Sequence, residues 1–380
     1  MQLLPVAWCD VAPLRLSAAT LAALLVVGAC SHAPPADFAP DPGLVAQIRD
    51  IRIITGYARA CPGTTIPASY EAVLADGSRV PFSRSYDKDH PPRLHVVFLD
   101  RTSPEAWTQE GGDWVTERDP LATVSTGFRL TATLRAKPSA TSTVVIPPYY
   151  GCMPHAFAFS GEAGGTGQQG GNAPDVTVRL AVLHSPFYDK LFVAGIEIGV
   201  APPFYVLGDA VTLAPASWLA IESHGGRGGA GVSGTPGTDG SAGAAGCPAQ
   251  PGAPGGNGGN GGPGGIGGRG GRLSVIVPVD EPLLAAIVNA RSLGGAGGAG
   301  GVGGAGGRGG KGGQGGMDGN RRCPDAVDGA TGRAGNAGVA GAEGAPGGES
   351  IVVTAPTKDI FGVQVPAGLG ALLERLQRRP

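Results

Sequence analysis

Residues 45–223 alternate apolar and polar positions in short runs separated by turn residues. That period of two predicts antiparallel strands with one buried face. The clearest runs are Ile51–Ile54, Tyr70–Leu74, Leu94–Phe98 and Phe128–Leu134. Asp76-Gly77 separates two such runs and predicts a hairpin turn. Further along, three segments share an order of strand, Pro or acidic turn, strand: Val176–Ala194, Leu273–Val288 and Ser350–Val365. Each follows a glycine-rich segment, the first being the short 161–171. The expectation is one sheet assembled from strands far apart in sequence, with the glycine blocks as excursions that leave it and return.

One long apolar run breaks the pattern. Leu16–Ala29 follows Arg15 and ends in small residues, so 1–29 reads as a secretory signal. As the only such run it excludes a multi-span membrane protein. Charge is balanced, 28 basic against 30 acidic residues, which removes the bulk positive field of a nucleic-acid-binding protein.

Composition matters most through where the glycine lies. Of 69 glycines, 23 fall in 225–271 and 25 in 294–348. Glycine recurs at every third position from 225 to 270 except Ala249, from 294 to 315, and in a shifted phase from 329 to 347. Three residues per turn is polyproline-II geometry, which makes no internal hydrogen bonds. Bare glycine faces let neighbouring backbones approach and satisfy one another's N–H and C=O groups. A flexible linker has no reason to keep phase, and a collagen helix needs more proline. Each block breaks in its middle, giving four arms of matched length: 225–246, 252–271, 294–316 and 329–348. Two hairpins with antiparallel arms, packed as a polyglycine-II bundle, account for period, triplets and lengths. The bundle resembles those of an insect antifreeze protein and of phage tail-fibre adhesins.

The cysteines fit an oxidising compartment. Cys9 departs with the signal, and Cys30 lies directly after it, leaving Cys61, Cys152, Cys247 and Cys323. Cys247 and Cys323 each sit in the break of one glycine block and are each followed by Pro. Equal arms leaving one sheet bring their tips to the same height, so the predicted bridges are Cys247–Cys323 and Cys61–Cys152.

No catalytic constellation rises from the sequence. Asp87-Lys88-Asp89-His90 reads as a solvated loop, and Lys311 is followed by Gly312, so the glycine runs are not phosphate loops. No metal site and no cofactor are expected.

Val27-Gly28-Ala29-Cys30-Ser31 resembles the lipobox of bacterial lipoproteins. Stretches within 45–147, including Tyr70–Val80 and Ser125–Thr133, resemble bacterial immunoglobulin-like surface domains. With the glycine insertions, the layout is similar to the collagen-like, Gly-rich surface lipoproteins of bacteria. That resemblance implies lipidation at Cys30, export, and outer-membrane anchoring facing the periplasm or the exterior. The expected fold is mainly β. It comprises a signal (1–29), a Pro-rich tether (30–44), an Ig-like sandwich (45–150) and a β scaffold (151–224). The first glycine hairpin (225–271), a scaffold repeat (272–293), the second hairpin (294–348) and terminal strands with a short helix (349–380) complete it. The expected function is non-enzymatic, structural or adhesive. Its partners are the membrane through the anchor and an extracellular protein or polysaccharide. Arg227, Asn257, Asn260, Arg269, Arg308, Lys311 and Gln314 would form the partner-facing surface. An ice- or glycan-binding module is the alternative, and a secreted hydrolase the third reading.

Overall fold

The computed structural model describes residues 34–212, 218–362 and 365–377, and the fold is mainly β. The signal, the lipobox and Cys30 lie outside the described residues.

The chain enters through a helical turn, α1 (Pro42–Gln47), whose N-cap Asp41 accepts the Gly43 N–H through its side chain. Nine strands follow: β1 (Ile48–Thr55), β2 (Thr65–Ile66), β3 (Ala68–Leu74), β4 (Arg79–Pro81), β5 (Leu99–Thr102), β6 (Ala106–Thr108), β7 (Trp114–Thr116), β8 (Phe128–Leu134) and β9 (Lys137–Ile146). They form three antiparallel sheets, β1-β3-β4, β2-β7-β6 and β5-β8-β9. Alternation along β3 and β8 sends every second residue into one core, which includes Ile51, Tyr70, Phe128 and Leu130. Trp114 is fully buried there. Its indole N–H donates to the Tyr70 hydroxyl at 2.8 Å, which donates to the Gly112 carbonyl at 2.7 Å, so neither polar tip is orphaned.

Two expectations need correction here. Leu94–Phe98 is not a strand. His95 Nδ1 accepts the Val97 N–H, drawing the backbone into a 3-10 turn over Val96–Phe98 before β5 begins. The described part of the tether, 34–44, is not free either. Phe38 packs on Tyr86 and Phe98, with ring centroids 4.9 and 4.8 Å apart, and Leu44 is buried.

The second half holds two further sheets. Its strands are β10 (Ala156–Ser160), β11 (Val176–Ser185), β12 (Tyr188–Ile198), β13 (Phe204–Asp209), β14 (Leu219–His224), β15 (Leu273–Pro278) and β16 (Val288–Leu293). A two-residue pair, β17 (Met317–Asp318) and β18 (Arg321–Arg322), and an edge strand, β19 (Ile351–Ala355), complete the set. The larger sheet has the order β13-β12-β11-β15-β19, and the smaller β10-β14-β16. Val178, Leu180, Val275, Val277, Leu219 and Ile221 share one core, which draws on both sheets. The other face of the larger sheet is covered by Leu121, Tyr150 and the C-terminal helix α2 (Ala367–Gln377), through Leu369, Leu372 and Leu373.

Three times the chain runs from the small sheet through a glycine excursion into the large one: β10 to β11, β14 to β15, β16 to β19. Within each trio the strands are parallel. Parallel neighbours require all three excursions to leave from one end. The first strands of the three repeated segments therefore do lie side by side as β11, β15 and β19. The second strands diverge. β12 pairs antiparallel with β11 and β16 joins the small sheet; Val365 is in no strand, and 363–364 lie outside the described residues.

Candidate functional site

The three excursions meet beyond the sheets and bond to one another through backbone at every third residue. Gly228, Gly231 and Gly234 of the first arm donate to Ala296, Ala299 and Val302 of the third, so these arms run parallel. Gly258, Gly261 and Gly264 of the second donate to Arg333, Asn336 and Val339 of the fourth, again parallel. Gly259 to Thr235, Gly304 to Gly259 and Gly335 to Gly304 mark antiparallel contacts of first with second, second with third, and third with fourth. The expected antiparallel course holds within each glycine block, first arm with second and third with fourth, while two of the three contacts between the blocks are parallel. The cause lies in the sheets, because parallel strands launch equivalent arms in the same direction. The short 161–171 excursion adds a further layer at the base, with Gly161, Gly164 and Gly167 donating to His224, Arg227 and Ala230.

The number of glycines per triplet follows the number of neighbours. The second and third arms are central, each bonded to three others, and read Gly-Gly-X over 255–271 and 294–316. The first and fourth are lateral. Beyond the base they keep one glycine per triplet, the one facing the central pair. A Cβ on Gly303 or Gly306 would lie less than 3.0 Å from the carbonyl of Gly335 or Gly332. A Cβ on Gly256 would instead meet the Thr238 hydroxyl at 2.9 Å and its backbone N at 3.2 Å, with no backbone carbonyl closer than 3.5 Å. Ala253, one triplet away in the same column, fills that position naturally.

The seven residues expected to face a partner are all exposed, and the bundle uses several of them. Asn257 Oδ1 accepts the Arg333 N–H and Asn260 Oδ1 the Asn336 N–H, both at 2.8 Å. In each case the next residue, Gly258 or Gly261, donates to the carbonyl of that same partner. Asn172 holds Arg269 in the same two-point grip, with Ala173 donating to the Arg269 carbonyl. Asp239 with Gly240 holds Arg308, and Asp175 with Val176 holds Arg272. Lys311 Nζ pairs with Asp328 at 3.0 Å. The carbonyls of Arg227 and Gln314 accept from Gly164 and Gly246. The Arg227, Arg269 and Arg308 side chains project outward from these gripped backbones.

The clamp residues Asn172, Asp175 and Asp239 were not singled out by the sequence reading. The signal was an Asn or Asp directly before a ladder donor, which supplies the acceptor that parallel ladders leave missing. Antiparallel contacts use a variant. Asp328 Oδ1 accepts the Gly312 N–H at 2.8 Å and Asp325 Oδ1 the Gly315 N–H at 2.7 Å. The Gly312 N–H first, and then the Lys311 ammonium, hold the Asp328 carboxyl below its ordinary range. At the base, the buried Ser223 hydroxyl accepts from Gly271 and donates to Pro174. Ser292 accepts from Gly347 and donates to Gly271.

At the far end Cys247 is bridged to Cys323, with Cα atoms 5.6 Å apart. Cys61 is bridged to Cys152, tying the first unit to the start of the second.

Elsewhere the candidate chemistry is engaged structurally. Asp87 and His90 lie 3.5 Å apart on an exposed loop. The Asp89 N–H is the main cause that lowers the Asp87 carboxyl. A cleft of about 520 Å³ beside β5 is lined by Arg84, His95, Arg101, Glu110 and Arg135. Arg84 there bonds Asp113 and the Ala68 carbonyl, and Arg101 bonds the Gln109 carbonyl. Among the described residues no group of three His, Cys, Asp or Glu could hold a metal ion, and no helix is long and apolar enough to cross a membrane. No family model matches this chain, and neither a curated protein nor a solved structure matches it.

Proposed function

We propose that this is a non-enzymatic, surface-anchored structural or adhesive lipoprotein whose working part is the glycine-rich bundle. In this reading residues 45–150 are an Ig-like stalk, Cys30 carries the lipid, and the arms form two polyglycine-II hairpins held out by the β scaffold. One observation carries the proposal. The arms cohere through backbone bonds at every third residue, so their X positions are left outside. A packed domain spends its large side chains on a core. Here they remain available, at fixed intervals of ~9 Å along each arm at the polyproline-II rise. Exposed Arg227, Arg269 and Arg308 supply cations suited to an acidic polysaccharide or an acidic protein surface.

The test shortens the bundle in register. Residues 234–259 and 304–335 are replaced by short turns that rejoin bonded arms, leaving β14, β15, β16 and β19 in place. Attachment of cells to surfaces or to each other is expected to fall while surface exposure is unchanged. Unchanged attachment sinks the adhesive reading. Cys30→Ala is expected to release the protein from the membrane fraction, and retention there refutes the anchor.

A further inference from the structure

We infer that β19 is a dimerisation edge, at which a second copy of this chain pairs antiparallel across a two-fold axis at Val353. The inference stands apart from the proposed adhesive role.

The larger sheet has two edges. β13 is mostly buried, with Tyr205, Val206, Leu207 and Gly208 all inside. β19 is the reverse: Ile351, Val352 and Val353 are 58, 51 and 44% exposed. Three consecutive branched apolar residues, with side chains to both faces, are the pattern of a strand inside a sheet rather than of a solvent-facing edge. Natural edge strands are ordinarily blunted by charge, proline or a bulge. Between Ile351 and Ala355 there is none of these.

The backbone fixes the register. The Val279 N–H donates to the Ala355 carbonyl, so Ala355, and with it Val353 and Ile351, directs its polar groups toward β15. Val352 and Thr354 therefore present N–H and C=O to the open side. Antiparallel pairing that bonds Val352 to Thr354 of the second copy, and Thr354 to its Val352, places Val353 opposite Val353. Ile351 then faces Ala355 on one face and Val352 faces Thr354 on the other. Every cross-strand pair is apolar or β-branched, the kind that stabilises sheets. Pro356, which lacks an N–H, ends the ladder.

Charge favours the same orientation. Exposed Glu349 precedes the strand and exposed Lys358 follows it. Antiparallel pairing brings Glu349 of one copy toward the 3-10 turn Thr357–Asp359, with Lys358, that follows the strand in the other; parallel pairing would align like with like. The dimer joins the two five-stranded sheets into one. Its bundles, which leave from the start of β19, project from opposite ends.

The test uses the full chain with Cys30→Ala, so that acyl chains play no part in association. Light scattering after gel filtration is expected to give twice the chain mass at micromolar concentration. Val352→Pro removes the outward N–H, as an edge strand tolerates, and is expected to yield a monomer that still unfolds cooperatively, at a melting temperature that no longer depends on concentration. Val353→Lys and Val353→Glu are each expected to be monomeric, and their mixture to recover the dimer, which a misfolded variant could not do. Val353→Cys is expected to crosslink two chains on oxidation. The facing Cα atoms of such a non-bonded pair are ~4.5 Å apart, within disulfide reach. A monomeric parent, a dimer indifferent to Val352→Pro, or a mixture that stays monomeric overturns the inference. So does a monomer whose Val352 and Thr354 amides exchange slowly, because another part of the chain then covers the edge.

Discussion

Asn260 illustrates how a side chain can hold a structure that has almost no side-chain packing. Its carboxamide oxygen takes the Asn336 N–H while Gly261 takes care of the Asn336 carbonyl. Asn260→Ala is expected to lower bundle stability by about 1 kcal/mol, the usual net value of one such bond. Exchange of the Asn336 amide should rise while that of Gly335, bonded to Gly304, stays slow. If both change together, the clamp is not a local device. Asp328 makes the same point with a pH dependence. Its carboxyl is held below the ordinary value of 3.8 in the folded state. The stabilisation is therefore fully present above that value and is lost as pH falls through the lowered one. The protection of the Gly312 amide, its exchange corrected for the intrinsic pH dependence, is expected to fall on acidification in that window. Asp328→Asn keeps an acceptor oxygen without the charge and should abolish the acid-dependent step.

At the scale of the arm, glycine content reports position in the bundle. A Gly-Gly-X arm has two faces against backbone, and a Gly-X-X arm has one. Gly306→Ala would drive a methyl onto the Gly332 carbonyl, and two backbones must separate to admit it. A loss of roughly 1–3 kcal/mol or more is expected, the range for overpacking. Gly256→Ala meets the Thr238 hydroxyl at 2.9 Å and the Thr238 backbone N at 3.2 Å, milder contacts than the Gly332 carbonyl at Gly306, and it copies what Ala253 already does one triplet away. It should cost clearly less than Gly306→Ala, since a shift of a few tenths of an ångström at Thr238 admits the methyl and alanine restricts the unfolded chain. Thermal melts of the two variants decide the matter, and equal losses would contradict the assignment of central and lateral faces. This level was largely legible in the sequence, because period three is itself the contact pattern. The direction of each neighbour was not legible. Whether two arms run parallel is set by strand order in the sheets, and β10-β14-β16 is a non-local pairing that no local pattern announces. The clamps were overlooked for a related reason: Asn257 looks like a surface residue until the arm beside it is known. In the first unit, the buried alternation Leu94, Val96, Phe98 is the same in a strand as in the turn that forms. The side chain of His95 decides between them.

For the molecule as a whole, the bundle is pinned at both ends by different means. At the base the arms continue into β strands and are gripped by Ser223 and Ser292. The tip lies on the order of 65 Å away at the polyproline-II rise, where Cys247 and Cys323 join the two long excursions. Between them the arms depend on glycine backbone, which loses more conformational freedom on ordering than any other residue. By the chain-entropy model, a crosslink between residues 76 apart in sequence contributes ~4 kcal/mol. Most of that should act where the arms are farthest from the sheets. Cys247→Ser with Cys323→Ser is therefore expected to open the tip first. Exchange of Gly313 and Gly316, which bond near the bridge, should quicken well before that of Gly295 and Gly298 at the base. The melting of the first unit, monitored through the buried Trp114, should not move, since Cys61–Cys152 remains intact. A uniform rise in exchange along all four arms would mean that the bundle opens as one cooperative body rather than fraying from the tip. The base would then set its stability, and the bridge would act only by shortening the unfolded chain.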